Sequence, residues 1–220
     1  MVSSRDVYLE IGSKRAFAAS FDWPGWCRSG RDGEAALRAL VEAGPRYARS
    51  LGRAATGFSP PAKATALRVS ERVNGGATTD FGAPEAETER DLADLTPREA
   101  DRLAGLLQAC WRAFDRAARK AVGVELRKGP RGGGRDLDAI VDHVRSAEGA
   151  YLSKLGARAD DGSMEAVRRT FIDVFSDRAR GEPPPRTPRS GRLWTPPYAV
   201  RRSAWHAIDH TWEIEDRSAP

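Results

Sequence analysis

YAVRRSAWHAIDHTWEIEDR, residues 198–217, decides how this chain is read. It contains no glycine or proline and follows EPPPRTPRSGRLWTPP (182–197), whose repeated prolines exclude a helix and mark a long crossing loop. The stretch is therefore predicted to be the last helix. In a helix, residues four apart share a face with Cβ atoms about 6 Å apart, so His206 and His210 reach one point beside it. Two imidazoles at that spacing can chelate one metal ion. The same spacing also arises in two surface or half-buried histidines with no ligand. What favours a metal is scarcity. The chain has three histidines, and the third, His143, lies in LDAIVDHVRSAEGAYLSKLG (137–156), at the edge of another predicted amphipathic helix.

Outward from these two segments the pattern stays helical. LTPREADRLAGLLQACWRAFDRAARKAVG (95–123) opens with Thr96, Pro97 and Glu99, a capping box with proline at the favoured first position. Leu103, Leu106, Leu107, Cys110, Phe114 and Ala117 form its apolar stripe. KGPRGGGRD (128–136) is a loop. In 137–156, Ile140, Val144, Ala147, Tyr151 and Leu155 mark the buried side. SMEAVRRTFIDVFSDRARG (163–181) is another helix. Four helices with a long connection before the last predict an up-down four-helix bundle over 95–220.

The first 75 residues differ. DVYLEIG (6–12) alternates Val7, Leu9 and Ile11 against Asp6, Tyr8 and Glu10, a strand signature. RAFAASFDW (15–23) is a second strand forming a hairpin with the first. WPGWCRSG (23–30) is a loop. Asp32 caps a helix over 34–51 with Leu37, Leu40 and Val41 inward and a kink or break at Gly44-Pro45. ATALRVSERV (64–73) is a third strand, with Leu67, Val69 and Val73 as core candidates. This makes a small β-β-α-β domain over 1–75, near the lower limit for a self-sufficient core. The polar, acidic segment 76–94 is a linker or surface loop. The fold class is α+β.

Composition sets the outer bounds. The chain has 220 residues, 40% hydrophobic and 30% charged, as expected of a soluble protein. No apolar run approaches the roughly 20 residues a membrane span requires, and the N-terminus lacks the pattern of a signal peptide. Two cysteines, Cys27 and Cys110, are too few for a disulfide framework and fit a cytoplasmic protein. The net charge of +5 is spread along the chain without a basic run, which argues against nucleic-acid binding.

A single histidine in IVDHVRSAEGAYLSKLG and an HxxxH in WHAIDHTWEIEDR, on helices two and four of the expected bundle, resemble the DinB/YfiT-like superfamily. That family comprises four-helix bundles with a three-histidine divalent-metal site, among them thiol-dependent S-transferases and the mycothiol-dependent maleylpyruvate isomerase type. The resemblance covers residues 95–218. It implies that His143, His206 and His210 are metal ligands, with zinc favoured and nickel or iron admissible. It also implies a small-molecule substrate and a low-molecular-weight thiol, of the mycothiol type, held as thiolate. A second, less specific resemblance covers residues 5–73. There WPGWCRSGRDGEAALRAL is similar to HicB-like domains, which act as antitoxin or interaction modules. The expected roles of this piece are packing against the bundle, covering its site or mediating homodimerisation.

Three imidazoles leave a coordination position open, the mark of a catalytic rather than a structural zinc site. Neither cysteine is an obvious fourth ligand. Cys110 sits on the apolar stripe, as a core thiol would. Glu213 shares the face of His206 and His210 and is the candidate acid–base residue, or a carboxylate that orients a ligand, or a solvated charge. Asp142 and Asp209 precede ligands but point about 100° away from them. Trp194 and Tyr198 line the mouth of the site or pack the loop. Arg201 and Arg202 bind a substrate carboxylate or phosphate or face solvent. If water rather than a thiol is activated, the protein is a small metal-dependent hydrolase with Glu213 as base. In a third, non-catalytic reading, a metal staples the helices of an interaction module.

Overall fold

The computed structural model of the chain describes residues 5–128, 134–187 and 192–218. The centres of the expected loops 128–136 and 182–197 lie outside them. The architecture is α+β. Strands β1 (Asp6–Ile11), β2 (Ala16–Ser20), β3 (Cys27–Gly30) and β4 (Arg68–Asn74) form one sheet in the order β3-β2-β1-β4. β1–β2 and β2–β3 are antiparallel, while β4 joins β1 in parallel. Helix α1 (Gly33–Leu51) links β3 to β4. The short α2 (Ala77–Phe81) and a 3₁₀ turn (Glu89–Leu92) follow. Then come α3 (Pro97–Lys120), α4 (Leu137–Leu155), α5 (Met164–Ala179) and α6 (Pro196–Ser218).

Helix starts follow their capping residues. Asp32, Asp136 and Ser163 accept from the backbone N–H three residues on. Thr96 and Glu99 cap α3 reciprocally, with Pro97 in the first turn. The expected stripe of α3 is buried throughout, from Leu103 to Ala117. α3 packs against α5 and α6, and α4 against α5 and α6.

Three expectations for the N-terminal part are corrected. The loop 23–30 contains a strand, β3, so the order is β-β-β-α-β rather than β-β-α-β. CRSG carries no apolar alternation, and it pairs because the tight Trp23–Trp26 turn lays it against β2. α1 runs unbroken through Pro45. The turn beyond the proline is held by Tyr47, fully buried, whose hydroxyl donates to the Pro24 carbonyl at 2.8 Å. Tyr8 and Glu10 do not face water, and only Ile11 of the alternating set is exposed.

The sheet is covered on both sides. Val7, Leu9, Ala16 and Ala18 face Ala36 and Leu40 of α1. Tyr8, Phe17, Ala19 and Cys27 pack with Trp205 of α6. The segment 76–94 closes this second side. Glu10, completely buried, accepts from the Thr79 hydroxyl and the backbone N–H groups of Glu85 and Ala86. Such bonds are what keep a buried carboxylate from costing several kcal/mol. One apolar cluster continues from Leu9 and Trp26 through Tyr47 to Cys110, Ile208 and Phe175. Gly25 sits at that junction with φ 91°. A Cβ there would lie 3.1–3.2 Å from Ile208, the Ala204 carbonyl and the Cys110 sulfur.

Candidate metal centre

α6 is buried on almost every side, with Trp205 towards the sheet and Ile214 packed with Ile140 and Val144 of α4. α4 and α6 are neighbours, which brings His143 against the HxxxH pair. One ring nitrogen from each of His143, His206 and His210 lies within 4.8 Å of the others. The Nε2 atoms of His206 and His143 are 3.2 Å apart. Two nitrogens sharing a tetrahedral zinc, each about 2.0–2.1 Å from it, would be separated by about 3.3–3.4 Å. His206 and His210 are buried and His143 half-buried.

Burial disfavours the charged form of two of these rings, His206 and His143. Burial, with His210 and Arg202 close by, holds His206 well below the usual imidazole value. His143 is lowered by burial first, then by His210 and Arg135. Metal ligation requires unprotonated imidazole, so the donor set suits a cation at neutral pH. His206 Nδ1 is buried with no hydrogen-bond partner among the described residues.

Nδ1 of His210 meets Glu213 Oε2 at 2.7 Å, so Nε2 is the ring nitrogen not engaged by Glu213. Carboxylate–histidine pairs of this kind fix the tautomer and ring orientation of a ligand. The other Glu213 oxygen accepts from Arg217 at 2.8 Å. The His210 hydrogen bond, aided by Arg217, holds the Glu213 carboxyl below its ordinary value. Both Glu213 oxygens are thus engaged, one by His210 and one by Arg217. Asp142 pairs with Arg145 and Asp209 with Arg28, neither with a histidine.

The remaining site candidates divide. Trp194, half-buried, meets Tyr151 at 5.2 Å and Tyr198 at 4.9 Å between ring centroids. Tyr151 stands edge-on to His206 at 5.6 Å, so these rings form a wall beside the cluster. Tyr198 is turned to the segment 76–94, donating its hydroxyl to the Glu85 carbonyl at 2.8 Å, and burial pushes its pKa up to about 12. Arg201 is not available to a substrate. Its guanidinium is buried in a bidentate pair with Asp91 and a hydrogen bond to the Tyr8 hydroxyl. Arg202 lies 4.5 Å over the Trp205 ring and 5.4 Å from Tyr151, with Nη1 buried and unpartnered among the described residues. Cys27 and Cys110 are buried, with thiols pushed up by burial, and neither joins the cluster.

Tyr151 and Arg217 were missed from sequence. Arg217 had a legible signal: Arg202, His206, His210, Glu213 and Arg217 follow one another three or four residues apart along one stripe of α6. No family model, curated protein or solved structure matches the chain. Among the described residues, no helix is long and apolar enough to cross a membrane.

Proposed function

We propose that His143, His206 and His210 hold one divalent cation, zinc before nickel or iron, and that the protein is a metal-dependent enzyme of the thiol S-transferase or isomerase type. In this reading α3, α4, α5 and α6 are the up-down four-helix bundle of a DinB/YfiT-like protein. The observation that carries it is the convergence of every histidine in the chain on one point.

When bound, such a cation supplies Lewis acidity that lowers the pKa of a thiol and yields a nucleophile at neutral pH. The chain's own residues do the rest. Glu213, held by Arg217, fixes His210. Tyr151 and Trp194 shield one side of the cluster from water. Arg202 offers an unsatisfied N–H to an anionic group of the substrate. In the hydrolytic alternative Glu213 would be the base, and the engagement of both its oxygens by His210 and Arg217 favours the thiol reading.

Cobalt-substituted protein titrated with glutathione or mycothiol tests this. A near-ultraviolet thiolate-to-cobalt absorption that saturates in the native protein and is missing in His206→Ala supports the thiol reading. Cobalt binding with no such band for either thiol overturns it.

A further inference from the structure

A cleft of about 500 Å³ opens between α1, α3 and α6. None of the residues that line it belongs to the histidine cluster. Its floor is small and apolar, built from Ala113 and Ala117 of α3, Ala121 just beyond its end and Ile214 of α6. The alanines are spaced four apart, so one face of α3 presents no bulk there. Its walls are cationic: Arg46, Arg49, Arg116 and Lys120 line it with Glu215 as the one acidic lining residue.

These cations are not equally committed. Arg46 is taken by Glu215 at 2.8 Å and Asp216 at 2.7 Å. Arg116 gives one N–H to the Ser50 carbonyl at 2.6 Å but has no acidic partner among the described residues. Arg49 and Lys120, both exposed, have no ion pair among the described residues either. Three uncompensated cations around one concavity repel one another and focus a positive field into it. The volume is that of a small-molecule site. No aromatic ring is among its described lining residues, so none of them offers a nucleobase a stacking surface.

We propose that this cleft binds a compact small-molecule polyanion without a nucleobase, its phosphate or carboxylate groups held by Arg49, Arg116 and Lys120. Arginine forks and a lysine point charge suit both kinds of oxyanion. The competing explanation is that Arg49 and Lys120, in the last turns of α1 and α3, only complement the carbonyl ends of those helices.

Calorimetric titration of the full chain with fructose 1,6-bisphosphate, and separately with citrate, decides the matter and tells phosphate ester from polycarboxylate. The expected result is saturable one-to-one binding of at least one probe at low salt. Arg49→Ala/Lys120→Ala weakens it at least about tenfold, as expected for lost charge-assisted hydrogen bonds. Arg116→Gln weakens it in the same direction. Lys63→Ala/Arg98→Ala, which removes two exposed cations elsewhere, leaves it unchanged. The proposal is overturned if neither probe saturates, or if the two double variants weaken binding equally. It is also overturned if Arg49→Ala/Lys120→Ala lowers the melting temperature without altering anion binding.

Discussion

Replacing Glu213 separates a residue that orients a metal ligand from one that does chemistry. Its Oε2 accepts from His210 Nδ1 at 2.7 Å, while Arg217 binds its Oε1. Removing a carboxylate behind a ligand histidine typically costs 10- to 100-fold in metal affinity, about 1.4–2.7 kcal/mol. Glu213→Gln keeps an oxygen that can accept the Nδ1 proton and loses only the charge, so its effect belongs near the tenfold end. Glu213→Ala frees the ring and belongs near 100-fold. Neither variant strands Arg217, which also donates to the carbonyls of Arg127 at 2.7 Å and Arg135 at 2.6 Å. The fold is therefore retained, as circular dichroism would verify. Zinc affinity is read by competition with a chromophoric chelator at pH 7.5. Asp209→Asn serves as the control, because Asp209 adjoins His210 in sequence but pairs with Arg28 at 3.4 Å. Its affinity stays within about threefold of the native value. Glu213→Ala binding zinc within threefold of native protein would refute the assignment.

Other consequences concern stability. Arg201→Met leaves the buried Asp91 carboxylate without its counter-ion and lowers unfolding free energy by about 3–5 kcal/mol in urea; a loss below 1 kcal/mol would show that Thr88, which also bonds Asp91, suffices. Gly44→Ala would gain about 1 kcal/mol in an exposed helix. Here the new Cβ falls 2.6 Å from Pro60 Cβ, so the variant melts lower, and a higher melting temperature contradicts the packing. The folded-state pKa of His206 is depressed, so the unfolded chain takes up this proton first. The contribution of His206 to the stability of metal-free protein is level above about pH 6.5 and falls below it, by up to about 1.4 kcal/mol per pH unit. His206→Asn flattens that slope in pH-dependent melts; an unchanged slope refutes the argument.

What was legible in the sequence was local. The start and stripe of α3 follow from Thr96, Pro97, Glu99 and the leucine spacing. The HxxxH pair follows from helical periodicity, and its approach to His143 needed only that α4 and α6 be neighbours. What was illegible depends on distant chain. Tyr8 and Glu10 alternate like a solvated face because their cover, Trp205 and the segment around Glu85, lies far along the sequence. Arg201 reads like Arg202 until Asp91 and Tyr8 are seen around it. Glu148 sits on the buried face of α4 between Val144 and Leu152, and its partner Arg168 comes from α5 at 2.8 Å. Pro45 marks a break by local rules, and the burial of Tyr47 and Leu51 beyond it overrides them.

The most direct test of the central claim is metal content by elemental analysis of untagged protein, as isolated and after dialysis against zinc, beside His206→Ala. The account predicts about one equivalent of zinc, nickel or iron in the native chain. It predicts loss of that equivalent in the variant while the helical circular dichroism persists. Native protein that is metal-free and retains no zinc after dialysis would contradict it, and would leave the three histidines as packing residues.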